Sequence, residues 1–190
     1  MSILLTGVTG NLGSELKKIL NDCICPTRKE LDITNKEQVE AFFKNNHIDL
    51  IIHTAALTSV RFCEDNKRLT WETNVKGTKN LVEATLKSKN KIKFVYVSTA
   101  CVFDGHSGMY KESGIPYPEN FYALTKLLGE SEVTKLHDYL IIRTNFVAKK
   151  SWPYPAAFTD RYGTYLFAGN VAVGIKEILA KNLTGIIHLI

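Results

Sequence analysis

The chain has 190 residues, 45% of them hydrophobic and 23% charged, with a mean hydropathy of −0.07. These values exclude a disordered, collagen-like or membrane-spanning chain, and the length suits one domain with a substantial core. The net charge is +5, but the basic residues are dispersed and the densest set, Lys87, Lys89, Lys91 and Lys93, has no interleaved aromatics, so the surplus reads as solvated surface and not as a nucleic-acid site.

Strand-like and helix-like runs alternate along most of the chain. Ile3-Leu4-Leu5 opens as a strand and meets a glycine-rich turn, after which Leu12, Leu16, Ile19 and Leu20 recur at helical spacing. Cys23 to Cys25 reads as a second strand ended by Pro26. Thr34-x-x-Glu37 has the form of a capping box, starting a helix whose apolar face is Val39, Phe42 and Phe43. Leu50-Ile51-Ile52 is a third strand, and Asn66 to Lys87 reads as one long helix with Leu69, Leu81, Val82 and Leu86 facing inward. Phe94-Val95-Tyr96-Val97 is a continuous apolar strand of the kind buried on both faces in a parallel sheet. A glycine- and proline-rich loop follows, then a helix from Asn120 to His137 and a strand at Leu140-Ile141-Ile142. Beyond Thr144 the pattern weakens: Ser151 to Pro155 is a loop, Val171 to Ala180 a helix, and Ile186 to Leu189 a last short strand.

Such alternation specifies an α/β fold, a Rossmann-type doubly wound parallel sheet, which binds ligands at the carboxyl ends of its strands. The expected division is 1–147 for the main α/β unit and 148–190 for a short segment that completes the sheet and its cleft. Cys23, Cys25, Cys63 and Cys101 match neither zinc spacing nor a disulfide framework, and Cys23 and Cys25 read as core residues. The five histidines are scattered, so no metal is expected; His53, just after a strand, reads as a packed residue. The N-terminus lacks a signal-peptide pattern and no apolar run approaches the roughly 18 residues of a membrane span, so the expected setting is reducing and cytoplasmic.

Thr6-Gly-Val-Thr-Gly-Asn-Leu-Gly13 lies between the first strand and the first helix. Gly7, Gly10 and Gly13 would allow a tight turn, close approach of backbone to a pyrophosphate, and close helix–strand packing, with the anion over the helix N-terminus. With 12 glycines in 190 residues the spacing arises by chance about 0.05 times per chain, so its placement marks a nucleotide site. Tyr122-x-x-x-Lys126 puts a phenol and an ammonium on one helix face, the cation favouring tyrosinate and the phenol supplying a proton to a carbonyl oxygen as hydride reaches its carbon. That pair alone is weak, since eight tyrosines and 19 lysines predict about 0.8 such pairs by chance. Weight comes from Ser98 and Thr99, hydroxyls at the end of the fourth strand able to orient a substrate carbonyl.

Together with Leu31-Asp-Ile-Thr34, His53-Thr-Ala-Ala-Leu-Thr58, Cys63-Glu64, Asn74-Val-x-Gly-Thr-x-Asn-Leu81, Val102-Phe-Asp-Gly105, Gly129-Glu130 and Ile142-Arg-Thr144, these stretches resemble the extended short-chain dehydrogenase/reductase family, in its dTDP-4-dehydrorhamnose reductase (RmlD-type) branch. The resemblance runs from residue 2 to about 147. It implies that Gly7, Thr9, Gly10, Asn11, Leu12 and Gly13 wrap the pyrophosphate, that Asp32 and Ile33 meet the adenine, and that Ala55, Ala56 and Leu57 line the adenosine side. It also implies that Thr99 assists Tyr122 and Lys126, that Lys126 holds the cofactor ribose, and that Ser98, Thr99, Asn145 and Arg161 meet the substrate. Members reduce the 4-keto group of a nucleotide-linked 6-deoxysugar with NADPH or NADH, and a homodimer is common among them.

Where NAD-specific sites carry an acid after the second strand, this chain has Pro26-Thr-Arg-Lys29, and Arg28 could pair with a 2′-phosphate, which makes NADP the expected cofactor ahead of NAD. Two departures bear on the substrate. Ala100-Cys101 stands where the branch usually has Asp-Tyr, and only Asn145 to Ile190 remains to build the sugar-binding lobe, with Trp152, Tyr154, Phe158, Arg161 and Tyr165 as candidates for a reduced pocket. The alternatives are a non-catalytic NADP-binding regulator, like the relatives that partner methionine adenosyltransferase, and a sugar-nucleotide epimerase or dehydratase.

Overall fold

The computed structural model describes residues 1–149, 159 and 163–190. Its strands are β1 (Ile3–Thr6), β2 (Cys23–Ile24), β3 (Leu50–His53), β4 (Lys93–Thr99), β5 (Tyr139–Thr144), β6 (Phe146–Val147), β7 (Leu166–Phe167) and β8 (Gly185–His188). The helices are α1 (Asn11–Ile19), α2 (Lys36–Asn45), α3 (Val60–Asp65), α4 (Lys67–Trp71), α5 (Gly77–Lys87), α6 (Phe121–Val133) and α7 (Ala168–Ala180). Six strands form one parallel sheet in the order β2-β1-β3-β4-β5-β8, while β6 and β7 pair separately.

Alternation along each strand divides the core in two. Leu4, Ile51, Phe94, Tyr96 and Ile141 pack toward α2, α5 and α6, with Val39, Leu81, Val82 and Val133. Leu5, Ile52, Val95, Val97 and Ile142 pack toward α1 and α7, with Leu12, Leu16, Val171 and Ile175. Both faces of β3, β4 and β5 are therefore buried, as continuous apolar strands require. The order reverses across β1 and β3, and the carboxyl ends on either side of that point form the crevice where such sheets take ligands. The described C-terminal elements add to this same sheet: β8 pairs with β5, and α7 packs on α1. No helix among the described residues is long and apolar enough to cross a membrane.

Several local expectations are corrected. The cap of α2 is Asn35, whose side chain accepts from Gln38 N at 3.0 Å, and Thr34 instead donates its hydroxyl to Asp32. The long helix expected over 66–87 is divided into α4, a π-helical turn at Glu72–Lys76, and α5. The wider turn rephases the apolar stripe, so Leu81 and Val82 are buried while Leu69 is 38% exposed. Leu86 is 53% exposed because Thr85, hydrogen-bonded back to Leu81 O, takes the inward side of the last turn. Helix α6 stops at Val133, short of His137. Cys23 and Cys25 are half-buried against the α1/α7 core, and burial, then the neighbouring Cys25, pushes the Cys23 thiol up to about 11, as suits inert packed sulfur.

Candidate functional site: a dinucleotide cradle beside a threonine, a tyrosine and a lysine

The turn between β1 and α1 is closed by Gly10 N donating to Gly7 O at 3.0 Å. Gly7 has a φ of +76°, and a Cβ there would sit 2.5 Å from Ala55 N; a Cβ on Gly13 would sit 2.2 Å from Gly7 O. Both must be glycine, one for conformation and one so that the helix can approach the turn. The first amide to bond back along α1 is Ser14 N, to Gly10 O. Asn11, Leu12 and Gly13 thus present first-turn N–H groups without intrahelical partners, at the positive end of the helix dipole. Leu12 contributes only main chain, its side chain being buried in the core. Gly13→Ala is expected to weaken dinucleotide binding by more than about tenfold in a calorimetric titration, because the methyl must push the helix off the turn.

A cavity of about 270 Å³ opens beside this turn. Gly7, Thr9 and Gly10 form one wall, Arg28, Asp32 and Ile33 the second, and Ala55, Ala56 and Leu57 the third. The structure thus brings together the residues expected at the adenosine end. The Arg28 side chain is 72% exposed, with Nε 3.3 Å from Asp32 Oδ2. Burial alone would raise the Asp32 carboxyl, but its two hydrogen bonds from Thr34, with Arg28 beyond them, hold it below the usual carboxylate range. Asp32 therefore stays ionised and anchors the mouth of the cavity.

The third wall has a support that sequence reasoning missed. Asn74, fully buried, accepts from Leu57 N at 2.8 Å and donates to Leu57 O at 2.9 Å and to Thr125 Oγ1 at 3.1 Å. It ties the loop after β3 to α6, the helix carrying Tyr122 and Lys126. A polar residue inside an otherwise amphipathic helix was the available signal. His53 lies beneath, its ring nitrogens bonded to Thr6 and Thr78 hydroxyls at 2.7 and 3.0 Å. Burial, and then Lys126, pulls its pKa to about 3, so it is a neutral packed histidine, as expected.

Thr99 ends β4 and caps a short turn at Ala100–Val102, accepting from Cys101 N. Asn120 caps α6, placing Tyr122 in its first turn and Lys126 one turn later. Burial pushes the Tyr122 phenol up, and the neighbouring Thr99 hydroxyl acts in the opposite direction. Lys126 is 3% exposed, its Nζ lying 4.0 Å from the centre of the Tyr96 ring. Burial lowers it to about 7, with Glu130 opposing. The expectation that Lys126 draws Tyr122 toward tyrosinate is thus corrected: here the phenol is the stable form, suited to giving up a proton only when charge develops beside it.

Ser98 and Thr99 divide. Ser98, on the α6 face, donates to Glu130 Oε1 at 2.5 Å, and Glu130 pairs with Arg143 at 2.7 Å, both buried. Of the two, Thr99 is the one that acts on the Tyr122 phenol, while the Ser98 hydroxyl is engaged by the buried pair. Gly129 makes room for this layer, since a Cβ there would lie 2.1 Å from the Tyr96 hydroxyl oxygen. Asn145 follows β5 and accepts from Leu166 N through its carbonyl. Tyr165 is exposed. Trp152, Tyr154, Phe158 and Arg161 lie outside the described residues.

The residues present fit an NADP-type dinucleotide: a turn whose Gly7 and Gly13 admit no Cβ, first-turn helix donors without intrahelical partners, and a cavity with a cation at its mouth. Comparison with known proteins agrees. The RmlD substrate binding domain family matches residues 1–159. The chain is 32% identical over 204 residues to dTDP-4-dehydrorhamnose reductase of Aggregatibacter actinomycetemcomitans, covering 96% of this chain and 69% of that protein. It is 33% identical over 141 residues to methionine adenosyltransferase 2 subunit beta of Xenopus laevis, covering 68% of this chain and 42% of that protein. Among solved structures, dTDP-4-dehydrorhamnose reductase of Bacillus anthracis in complex with NADP superposes with a TM-score of 0.86 at 30% identity, over 99% of this chain and 73% of that one. By sequence blocks, strand order and cradle together, the chain belongs to the RmlD substrate binding domain family.

Proposed function

We propose that this protein is an NADP-dependent reductase of a nucleotide-linked 4-keto-6-deoxysugar. What supports the reading is the glycine cradle with its cavity, together with Thr99 at the carboxyl end of β4, its hydroxyl acting on Tyr122, and Lys126 one turn after Tyr122 on α6. Bound dinucleotide supplies the hydride. The first turn of α1 holds the pyrophosphate and Arg28 takes the 2′-phosphate. Lys126, its tail buried and its amine poised near neutrality, holds the ribose hydroxyls. Tyr122 donates its phenolic proton to the carbonyl oxygen, and Thr99 orients both by hydrogen bond. The buried Glu130 favours the charged form of Lys126 against the burial that opposes it, and that charge would stabilise the tyrosinate left behind.

The test is oxidation of NADPH and NADH by dTDP- and UDP-4-keto-6-deoxyglucose, with the wild-type chain and Tyr122→Phe side by side. Turnover lost in the variant supports the reading; turnover unchanged in it ends the catalytic assignment. Arg28→Ala should weaken NADPH about tenfold and leave NADH nearly unaltered, since only the former carries the phosphate. The likeness to the methionine adenosyltransferase subunit favours a second reading, a dinucleotide-binding regulator. Tight NADPH binding with no turnover on either keto-sugar would support that one. Retention of all three catalytic side chains favours the reductase.

A further inference from the structure

The π-helical turn at Glu72–Lys76 closes i→i+5, and it sends Thr73 to the adenosine cavity while Asn74 stays buried. Every polar atom of the Asn74 amide is committed. Its oxygen accepts from Leu57 N, one N–H donates to Leu57 O, and the other donates to Thr125 Oγ1. A flipped amide would set NH₂ against N–H and oxygen against oxygen, so its orientation is fixed. The main chain of Asn74 is held as well, since the Thr78 hydroxyl donates to its carbonyl at 2.7 Å. Thr125 is fully buried, and its single hydroxyl proton goes to Tyr122 O at 2.7 Å. It therefore meets Asn74 as an acceptor. A directional chain of hydrogen bonds thus runs from the cavity wall at Leu57, through Asn74 and Thr125, to the main chain of Tyr122.

We propose that Thr125 is a positioning residue: through its bond from Asn74 it keeps the first turn of α6, with Tyr122 and Lys126, in register with the cavity wall that carries the dinucleotide. This rests on the reductase reading above. The hydride takes its position from the dinucleotide, whose adenosine end lies against Ala55, Ala56 and Leu57 in that reading. The proton comes from Tyr122, on a different element. One carbonyl can receive both only if the two surfaces keep a fixed relation, and a misplacement of about 1 Å can cost about 10²-fold in rate. Packing alone lets a helix slide slightly along its neighbours, whereas a hydrogen bond with both partners fixed weakens steeply when it is bent or stretched.

The experiment compares wild type, Thr125→Val, Thr125→Ser and Asn74→Ala. Each is assayed for keto-sugar reduction by NADPH, and titrated by calorimetry with NADPH and with adenosine 2′,5′-bisphosphate, which ends before the second ribose. Thr125→Val keeps the shape of the side chain and breaks only the tie to α6. It is expected to lower kcat about tenfold, to weaken NADPH about threefold through the displaced Lys126, and to leave the bisphosphate within about twofold. Thr125→Ser keeps the hydroxyl and should match wild type. Asn74→Ala also frees the wall, so it should weaken both ligands, and adding Thr125→Val to it should cost no further kcat because the two share one bond. Wild-type kcat and NADPH affinity in Thr125→Val, equal weakening of both ligands in it, the same losses in Thr125→Ser, or additive losses in the double variant would overturn the proposal. If Asn74→Ala does not fold, the contrast between Thr125→Val and Thr125→Ser decides alone. Wild-type protein that reduces no keto-sugar would count against the reductase reading instead, and the NADPH-to-bisphosphate contrast in Thr125→Val would still decide the positioning role.

Discussion

Replacing Tyr122 with phenylalanine is expected to lower kcat by about 10²- to 10⁴-fold, the usual contribution of one positioned proton donor, while NADPH binding stays near that of wild type. The ring remains and the first turn of α6, capped by Asn120, is undisturbed, so the loss falls on the chemical step and not on the cradle. Burial holds the phenol protonated, and under the proposed reaction the proton would leave only as the carbonyl oxygen gains charge. A fall in kcat with KM unchanged is the signature of a group that acts in the transition state. Unaltered kcat in steady-state assays would remove Tyr122 from the reaction.

Glu130→Ala is expected to destabilise the fold by about 3–5 kcal/mol, because it leaves the Arg143 guanidinium buried and uncompensated. For a chain of this size that corresponds to a drop in melting temperature of roughly 6–20 °C. It also strips a partner from Ser98. Glu130→Leu combined with Arg143→Met should recover part of the loss, since well-packed apolar residues replace a buried pair at little cost. Glu130→Gln tests the electrostatic role separately. Glu130 raises the Lys126 pKa against the burial that lowers it to about 7. Removing the charge therefore lowers Lys126 further, and any limb of the activity profile governed by Lys126 should move to lower pH. A limb that stays in place would show that Glu130 supports packing alone.

The site was legible where its chemistry is local. The three glycines act within eight residues of chain, and the turn they make is set by φ at Gly7 and by the approach of Gly13 to it. Tyr122 and Lys126 share a helix face by spacing alone. Arg28 was legible because the loop after β2 is short and its position is set by the strand before it. The Asn74 clamp was not, because it joins Leu57 and Thr125, 17 and 51 residues away. The Glu130–Arg143 pair was present in recognised blocks, yet nothing in one dimension indicates that Ser98 turns to it while Thr99 turns to Tyr122. Alternation on β4 separates them, and only the position of α6 decides which face is which.

Protonation was the least legible property. Spacing suggested that Lys126 would acidify Tyr122, but burial sets the net direction, pushing the phenol up and the amine down. The helix expected over 66–87 failed for a related reason: a π-helical turn is a packing outcome, and it redirects Leu69 to solvent without any sequence punctuation.

Taken alone, the 190 residues determined the alternating α/β class, the glycine turn between β1 and α1, and the placing of Arg28 in the loop after β2. These follow from periodicity and turn chemistry, interactions that reach a few residues along the chain. The tertiary structure decided the strand order β2-β1-β3-β4-β5-β8, the tie that Asn74 makes between the loop after β3 and α6, and the separate partners of Ser98 and Thr99. Those depend on which groups distant in sequence are desolvated together, and desolvation is a property of the folded interior that no local pattern encodes.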